Sequence, residues 1–391
     1  MTIPFSKVDC SGRERDLVCE VIESGWLTTA SKVQLFEKQF LETVGASYAC
    51  AVNSCTAALH LGLEALGVRP GDRVLVPSMT FTASAEVIRY LNADPIFLDV
   101  DYETRLLTPE IVENALNRHP DVKVLVIVHF GGQVAAMPDL DDQEGILSIC
   151  RRHGVKIIED AAHAFPSRIG ERYVGSFGDI TCFSFYANKT ITTGEGGMLL
   201  TEDEEIYKRV KTMRLHGINR DIWDRFTDKN SAWEYDVIAP GYKYNMPDIN
   251  AAIGIAQLER AHEFREGRQK CADYYDDALE GIECLDLPLC LRERENHSWH
   301  LYPIVLNEKS LVTRNFFIER LKERGVGTSV HYKPLHRMTY YREYYSLEPK
   351  DFPNTERIWE GTVSLPIYFG MRNGELEFVV ESIKEILQGN N

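Results

Sequence analysis

An α/β fold is predicted by this 391-residue sequence: a mostly parallel seven-stranded sheet flanked by helices, with a smaller C-terminal α+β unit. Two observations carry the prediction. Between residues 48 and 201, short apolar, β-branched runs alternate with stretches of helical periodicity, the pattern of a sheet covered on both faces. After Pro247 the pattern changes to a long helical stretch and then a shorter series of strands and helices.

The elements follow in order. Candidate strands are YACAV from Tyr48, RVLVP from Arg73, PIFLDV from Pro95 and VKVLVIVHF from Val122, then VKIIED from Val155, ITCFSFY from Ile180 and GGMLLT from Gly196. Helical patterns separate the earlier strands: TAALHLGLEALG, FTASAEVIRYLN, PEIVENALNR and GILSICRRHG. Three of the four lead to a Gly or Asn where a left-handed C-terminal cap is expected. Between the last two strands stands only the turn-rich ANKTITTGEG, which predicts one antiparallel pairing.

The stretch PDINAAIGIAQLERAHEFREGRQKCADYYDDALEG begins with Pro at its first turn and carries an apolar stripe through Ile249, Ile253, Ala256 and Leu258. It reads as one helix connecting two units, placed at residues 1–250 and 251–391. The remainder reads strand (HLYPIVL), helix (TRNFFIERLKERG), strand (GTSVHY) and a final helix (ELEFVVESIKEILQG).

Composition excludes several classes of function. A net charge of −16 repels phosphate backbones and argues against nucleic-acid binding. No apolar run reaches the roughly 20 residues of a membrane span, and the opening MTIPFSKVDCSGRERD lacks the apolar centre of a signal peptide. Nine scattered cysteines without a CxxC pair suggest neither a disulfide framework nor a metal site. A reduced, cytoplasmic protein is expected.

In an open α/β sheet, ligands bind beyond the carboxyl ends of the strands, and four such ends carry unusual residues. In NSCTAAL, Ser54, Cys55 and Thr56 open a helix, which suits either a phosphate site or an ordinary N-cap. PSMTFTASAE places Phe81 at the same edge, as core or as a stacking surface. VKIIEDAAHAF brings Glu159, Asp160 and His163 to a strand end, where a buried carboxylate needs a cation or a donor; a cap with a solvated imidazole is the alternative. In FGDITCFSFYANKTITTGEGGM, Lys189 follows an apolar strand between Ser184 and the turn glycines Gly194, Gly196 and Gly197. A desolvated lysine there suits Schiff-base nucleophilicity. Anion cradle, stacking ring, carboxylate and lysine together fit one cofactor, pyridoxal 5'-phosphate.

The segments FSFYANKTITTGEGGM, IIEDAAHA and GYKYNMPDINAAIGIAQL resemble those of the sugar-nucleotide aminotransferases (DegT/DnrJ/StrS type), members of pyridoxal-phosphate fold type I. ESGWLTT, NSCTAALHL and GVGTSVHYKPLH extend the resemblance over nearly the whole chain. It implies that Lys189 binds the cofactor covalently, that Asp160 pairs with the pyridine nitrogen and that His163 lies near the phenolic oxygen. Cys55, Thr56 and Ser184 match phosphate contacts, and Phe81 the ring stacker. Lys243 or Asn245 matches a residue that reaches the neighbouring subunit's phosphate, and His331 a residue near the substrate. The activity implied is transfer of an amino group from L-glutamate to a nucleotide-linked 4-keto sugar by a homodimer, with amination at C3 as the alternative. An inactive regulator of the same fold and a sugar 3-dehydratase are the rival readings. The dehydratases carry His where Lys189 stands, and the regulator would not retain every catalytic position.

Overall fold

The computed structural model describes residues 1–139, 143–219 and 235–389. Its main sheet contains the seven predicted strands: β1 (Tyr48–Val52), β2 (Arg73–Pro77), β3 (Asp94–Leu98), β4 (Val124–Val128), β5 (Lys156–Asp160), β8 (Ile180–Ser184) and β9 (Gly197–Thr201). A small hairpin, β6 (Arg168–Ile169) and β7 (Arg172–Tyr173), lies between β5 and β8 in the chain. The spatial order is β1-β9-β8-β5-β4-β2-β3. Strand β9 inserts between β8 and β1 and runs antiparallel to both, so there are two antiparallel pairings rather than the one expected. The loop between Ser184 and Gly197 contains no crossover helix, so the chain reverses, and β1, from the start of the sheet, occupies β9's free edge.

Helices form where the sequence places them. α3 (Cys55–Ala65), α4 (Ala83–Tyr90), α5 (Pro109–Arg118) and α6 (Ile146–His153) follow β1 to β4. α1 (Gly12–Ser24) and α2 (Ser31–Val44) precede the sheet, and α7 (Glu204–Met213) follows β9. The long stretch after Pro247 is two helices, α8 (Asp248–Glu259) and α9 (Ala261–Leu279), broken at Arg260 where the backbone leaves helical geometry (φ −111°, ψ 7°). Asp248, buried at the start of α8, accepts hydrogen bonds from the amides of Ala30, Lys32 and Val33. It thereby caps α2, whose own N-cap, Ala30, has no side-chain acceptor.

Ala251, Ala252 and Ile255 of α8 lie in the core that also holds Phe36, Phe183 and Phe185. A second core carries Tyr275 of α9 with Trp299 and Tyr302, and includes Ile3 from the N-terminal segment. It covers a three-stranded sheet, β10 (Leu285–Asp286), β11 (Tyr302–Leu306) and β12 (Thr362–Leu365). Around it pack α10 (Arg314–Glu323), α12 (Pro353–Gly361) and α13 (Asn373–Leu387), while α11 (Thr339–Tyr344) buries Tyr341 against Phe97 of β3. The predicted strand GTSVHY is not one. It makes one isolated bridge, Ser329 to Ser364, while Val326 just before it bridges to Ile3, and beyond Ser329 the pairing stops at His331 and Tyr332. No described helix is long and apolar enough to cross a membrane.

Candidate active site

Beyond the carboxyl ends of β1, β2, β5 and β8 lies a cavity of about 300 Å³. Cys55, Thr56, Phe81, Asp160, His163, Ser184, Lys189 and His331 all line it, as do Tyr186 and Tyr332. Lys243 and Asn245 do not. They lie beside the end of β1, where the backbone of Asn245 bridges to Val52. The Lys243 ammonium donates to Asn245 Oδ1, and Asn245 Nδ2 donates to Thr29 Oγ1 at 2.7 Å.

The first wall is the N-terminus of α3. Ser54, not Thr56, is the cap: its Oγ accepts from the Ala57 amide at 3.1 Å. Cys55 and Thr56 are therefore first-turn residues at the positive end of the helix dipole. Gly197 lets β9 pass against this end. A Cβ there would lie 2.5 Å from the Ser54 carbonyl carbon and 2.6 Å from the Cys55 nitrogen.

The second wall is the end of β5. Neighbouring strand residues point to opposite faces, and the two acids separate accordingly. Asp160 faces the cavity, and Glu159 faces away into a closed network. Glu159 Oε2 lies 2.8 Å from His129 Nε2, while its Oε1 accepts from the Gly178 amide and Thr181 Oγ1, both at 2.7 Å. Asp160 Oδ2 accepts from Ser84 Oγ at 2.7 Å and Oδ1 from the Ala162 amide at 3.1 Å. Burial raises the Asp160 carboxyl above its ordinary range, against the lowering pull of those two hydrogen bonds and of Lys189. Ser84, itself held by Thr80 Oγ1 at 2.8 Å, was not visible in the sequence pattern; a hydroxyl 76 positions upstream gives no periodic signal.

Lys189 sits in the turn between β8 and β9, held by its amide to the Tyr186 carbonyl at 3.0 Å. Burial pushes its ammonium down to about 8, with Cys55 and Asp160 opposing and Arg268 assisting. Arg268, on α9, is buried among backbone carbonyls. It donates to Ile367 (2.9 Å), His300 (3.2 Å), Trp299 (3.4 Å) and Asn188 (3.5 Å). It thus pins the residue next to Lys189, a role that a reading of the stretch as one amphipathic connector does not contain.

His163 is buried rather than solvated. Its Nδ1 accepts from the Gly131 amide at 3.2 Å, and its Nε2 lies 2.9 Å from the hydroxyl of Tyr332. His331 Nδ1 pairs with Ser364 Oγ at 2.8 Å. Burial holds both imidazoles neutral, His331 down to about 4. Phe81 is 56% exposed at the mouth, 5.9 Å from the Tyr332 ring.

Pyridoxal 5'-phosphate suits this set on its chemistry. A helix N-terminus with small polar residues receives a phosphate, a buried carboxylate receives a protonated ring nitrogen, and a lysine titrating near 8 is a nucleophile at neutral pH. The close approach that Gly197 permits between β9 and α3 shapes the end of the cavity at this helix N-terminus. Fold and cavity together define a pyridoxal-phosphate-dependent aminotransferase of fold type I. The chain belongs to the DegT/DnrJ/EryC1/StrS aminotransferase family, which it matches over residues 9–384. It is 41% identical to the spore coat polysaccharide biosynthesis protein SpsC of Bacillus subtilis, over 99% of this chain and 97% of that one. Among solved structures it is similar to a putative sugar aminotransferase from Streptococcus pneumoniae in its PMP form. The TM-score is 0.90 at 30% identity, covering 100% of this chain and 98% of the other. Helicobacter pylori PseC, an aminotransferase involved in pseudoaminic acid biosynthesis, superposes with a TM-score of 0.88 at 25% identity, with both chains fully covered.

Proposed function

We propose that this enzyme moves an amino group from L-glutamate to the C4 carbonyl of a nucleotide-linked keto sugar, in the cytoplasm, for polysaccharide synthesis. The observation that carries the reading is Lys189: an amine lowered to about 8 by burial, lining the same cavity as the buried acid Asp160. The cofactor, when bound, supplies an electron sink for the carbon that loses its proton. The chain's own residues do the rest. The Lys189 amine would take a proton from the donor's α-carbon and later return one to the sugar carbon. Asp160 would hold the ring nitrogen protonated, and Ser84 and the Ala162 amide hold Asp160. The half-exposed aromatics Phe81 and Tyr186 flank the mouth, where a nucleotide or sugar ring has a surface to stack on. We further propose a homodimer in which Lys243 or Asn245 serves the neighbouring subunit's cavity. Their position outside their own cavity, beside β1, supports that reading.

The test is the absorbance of the holoenzyme. Added L-glutamate should replace the cofactor's long-wavelength band with that of its aminated form. A nucleotide-linked 4-keto sugar should then restore the band, and NMR of the product should place nitrogen on C4. A band indifferent to glutamate removes the donor, and nitrogen on C3 removes the position.

A further inference from the structure

His163 has two ring nitrogens with different partners, and together they fix the direction of a hydrogen-bond chain. The Gly131 amide can only donate, so Nδ1, 3.2 Å away, must carry a lone pair. The neutral ring then bears its proton on Nε2 and donates it to the Tyr332 oxygen at 2.9 Å. Tyr332 Oη accepts that bond, makes no other within the described chain, and keeps its own proton to give. Tyr332 lines the cavity, so the direction in which that proton remains available is toward the ligand. The groups packed around this chain do not reverse it. His300 lies 4.4 Å from His163, ring to ring, and His331 4.9 Å from Tyr332, and burial holds both neutral. Phe130 and Phe81 supply only ring faces and edges.

We propose that Tyr332 is a ligand-binding residue, the last member of a one-way chain from the Gly131 amide through His163, presenting a hydrogen-bond donor to an acceptor oxygen in the cavity. The acceptor is a phenolate or carbonyl oxygen, belonging to the cofactor or to the keto sugar; an ammonium has no lone pair to offer it. The inference builds on the cofactor reading, but its first half is a property of the protein alone.

That half is tested without cofactor. Long-range 1H–15N NMR of the cofactor-free protein should show His163 with its proton on Nε2, and a proton on Nδ1 overturns the proposal whatever the enzyme binds. The second half uses Tyr332→Phe, which keeps the ring and removes the hydroxyl. If the acceptor is on the cofactor, the pH midpoint of the bound cofactor's absorbance shifts without any substrate present. If it is on the sugar, the absorbance titration is unchanged and KM for the keto sugar rises about two- to tenfold, the size of one lost neutral hydrogen bond, while KM for glutamate holds. A variant with wild-type titration and wild-type KM for both substrates overturns the proposal.

Discussion

At the scale of single residues, Lys189 makes the sharpest prediction. Its pKa is lowered to about 8 by burial, so the neutral amine becomes the majority form as pH rises through that value. The rate at which cofactor-free enzyme captures pyridoxal phosphate should climb through about pH 8 and then level. A rate that continues to climb until about pH 10, the range of an unperturbed lysine, contradicts this environment. Asp160→Asn places an amide where two donors, Ser84 Oγ and the Ala162 amide, both seek an acceptor. Turnover should fall by at least about a hundredfold, the scale of losing one preorganised electrostatic partner, with circular dichroism unchanged. The placement of Lys189 and Asp160 in one cavity was legible because Asp160 ends a strand and Lys189 follows one at the sheet's carboxyl edge. Tyr332 was not. It lies 169 residues from His163 in a segment whose alternation reads as a strand, and only the turn after Ser329 brings it to the cavity.

Among the elements, the contact between α3 and β9 joins fold to chemistry. Gly197→Ala must push the Ser54–Cys55 peptide away from positions 2.5 and 2.6 Å from the new carbon. Overpacking of this kind costs about 1–3 kcal/mol, and the strain falls on the helix N-terminus. Affinity for the cofactor, measured by fluorescence titration, should therefore weaken about tenfold or more, while β9 keeps its place between two partners. Undiminished affinity would show that this helix end does not hold the phosphate. The seven strands of the main sheet were readable because continuous apolar runs have one stable use in an α/β layer. The insertion of β9 beside β1 was not, since strand order depends on which edge remains free. The break at Arg260 also escaped the pattern: apolar spacing continues across it, and the change is in backbone direction alone.

For the whole molecule, buried imidazoles set the acid limit. His60, His297 and His331 are held neutral by burial, at about 4, 3 and 4, and His163 and His300 are displaced in the same direction. Each has a folded pKa below its unfolded value of about 6.5. Between those values the unfolded chain binds the extra proton, so stability is complete above about pH 6.5 and declines as pH falls toward 4. Each group contributes a slope of up to about 1.4 kcal/mol per pH unit. Urea unfolding midpoints should be level from about pH 8 to 7 and drop steeply from about 6 to 4. A flat profile across the lower interval would mean that these rings are hydrated in the native state.

The guanidinium of Arg268 gives the two cores a shared fate. Its four acceptors belong to the lysine-bearing turn (Asn188), to the segment entering β11 (Trp299, His300) and to the chain after β12 (Ile367). Partial separation of the small core from the sheet would leave a buried cation facing unmatched carbonyls, an expensive halfway state. The molecule is therefore built to come apart in one step. Release of the cofactor during thermal denaturation should coincide with loss of both cores, as a single calorimetric transition and not a staircase.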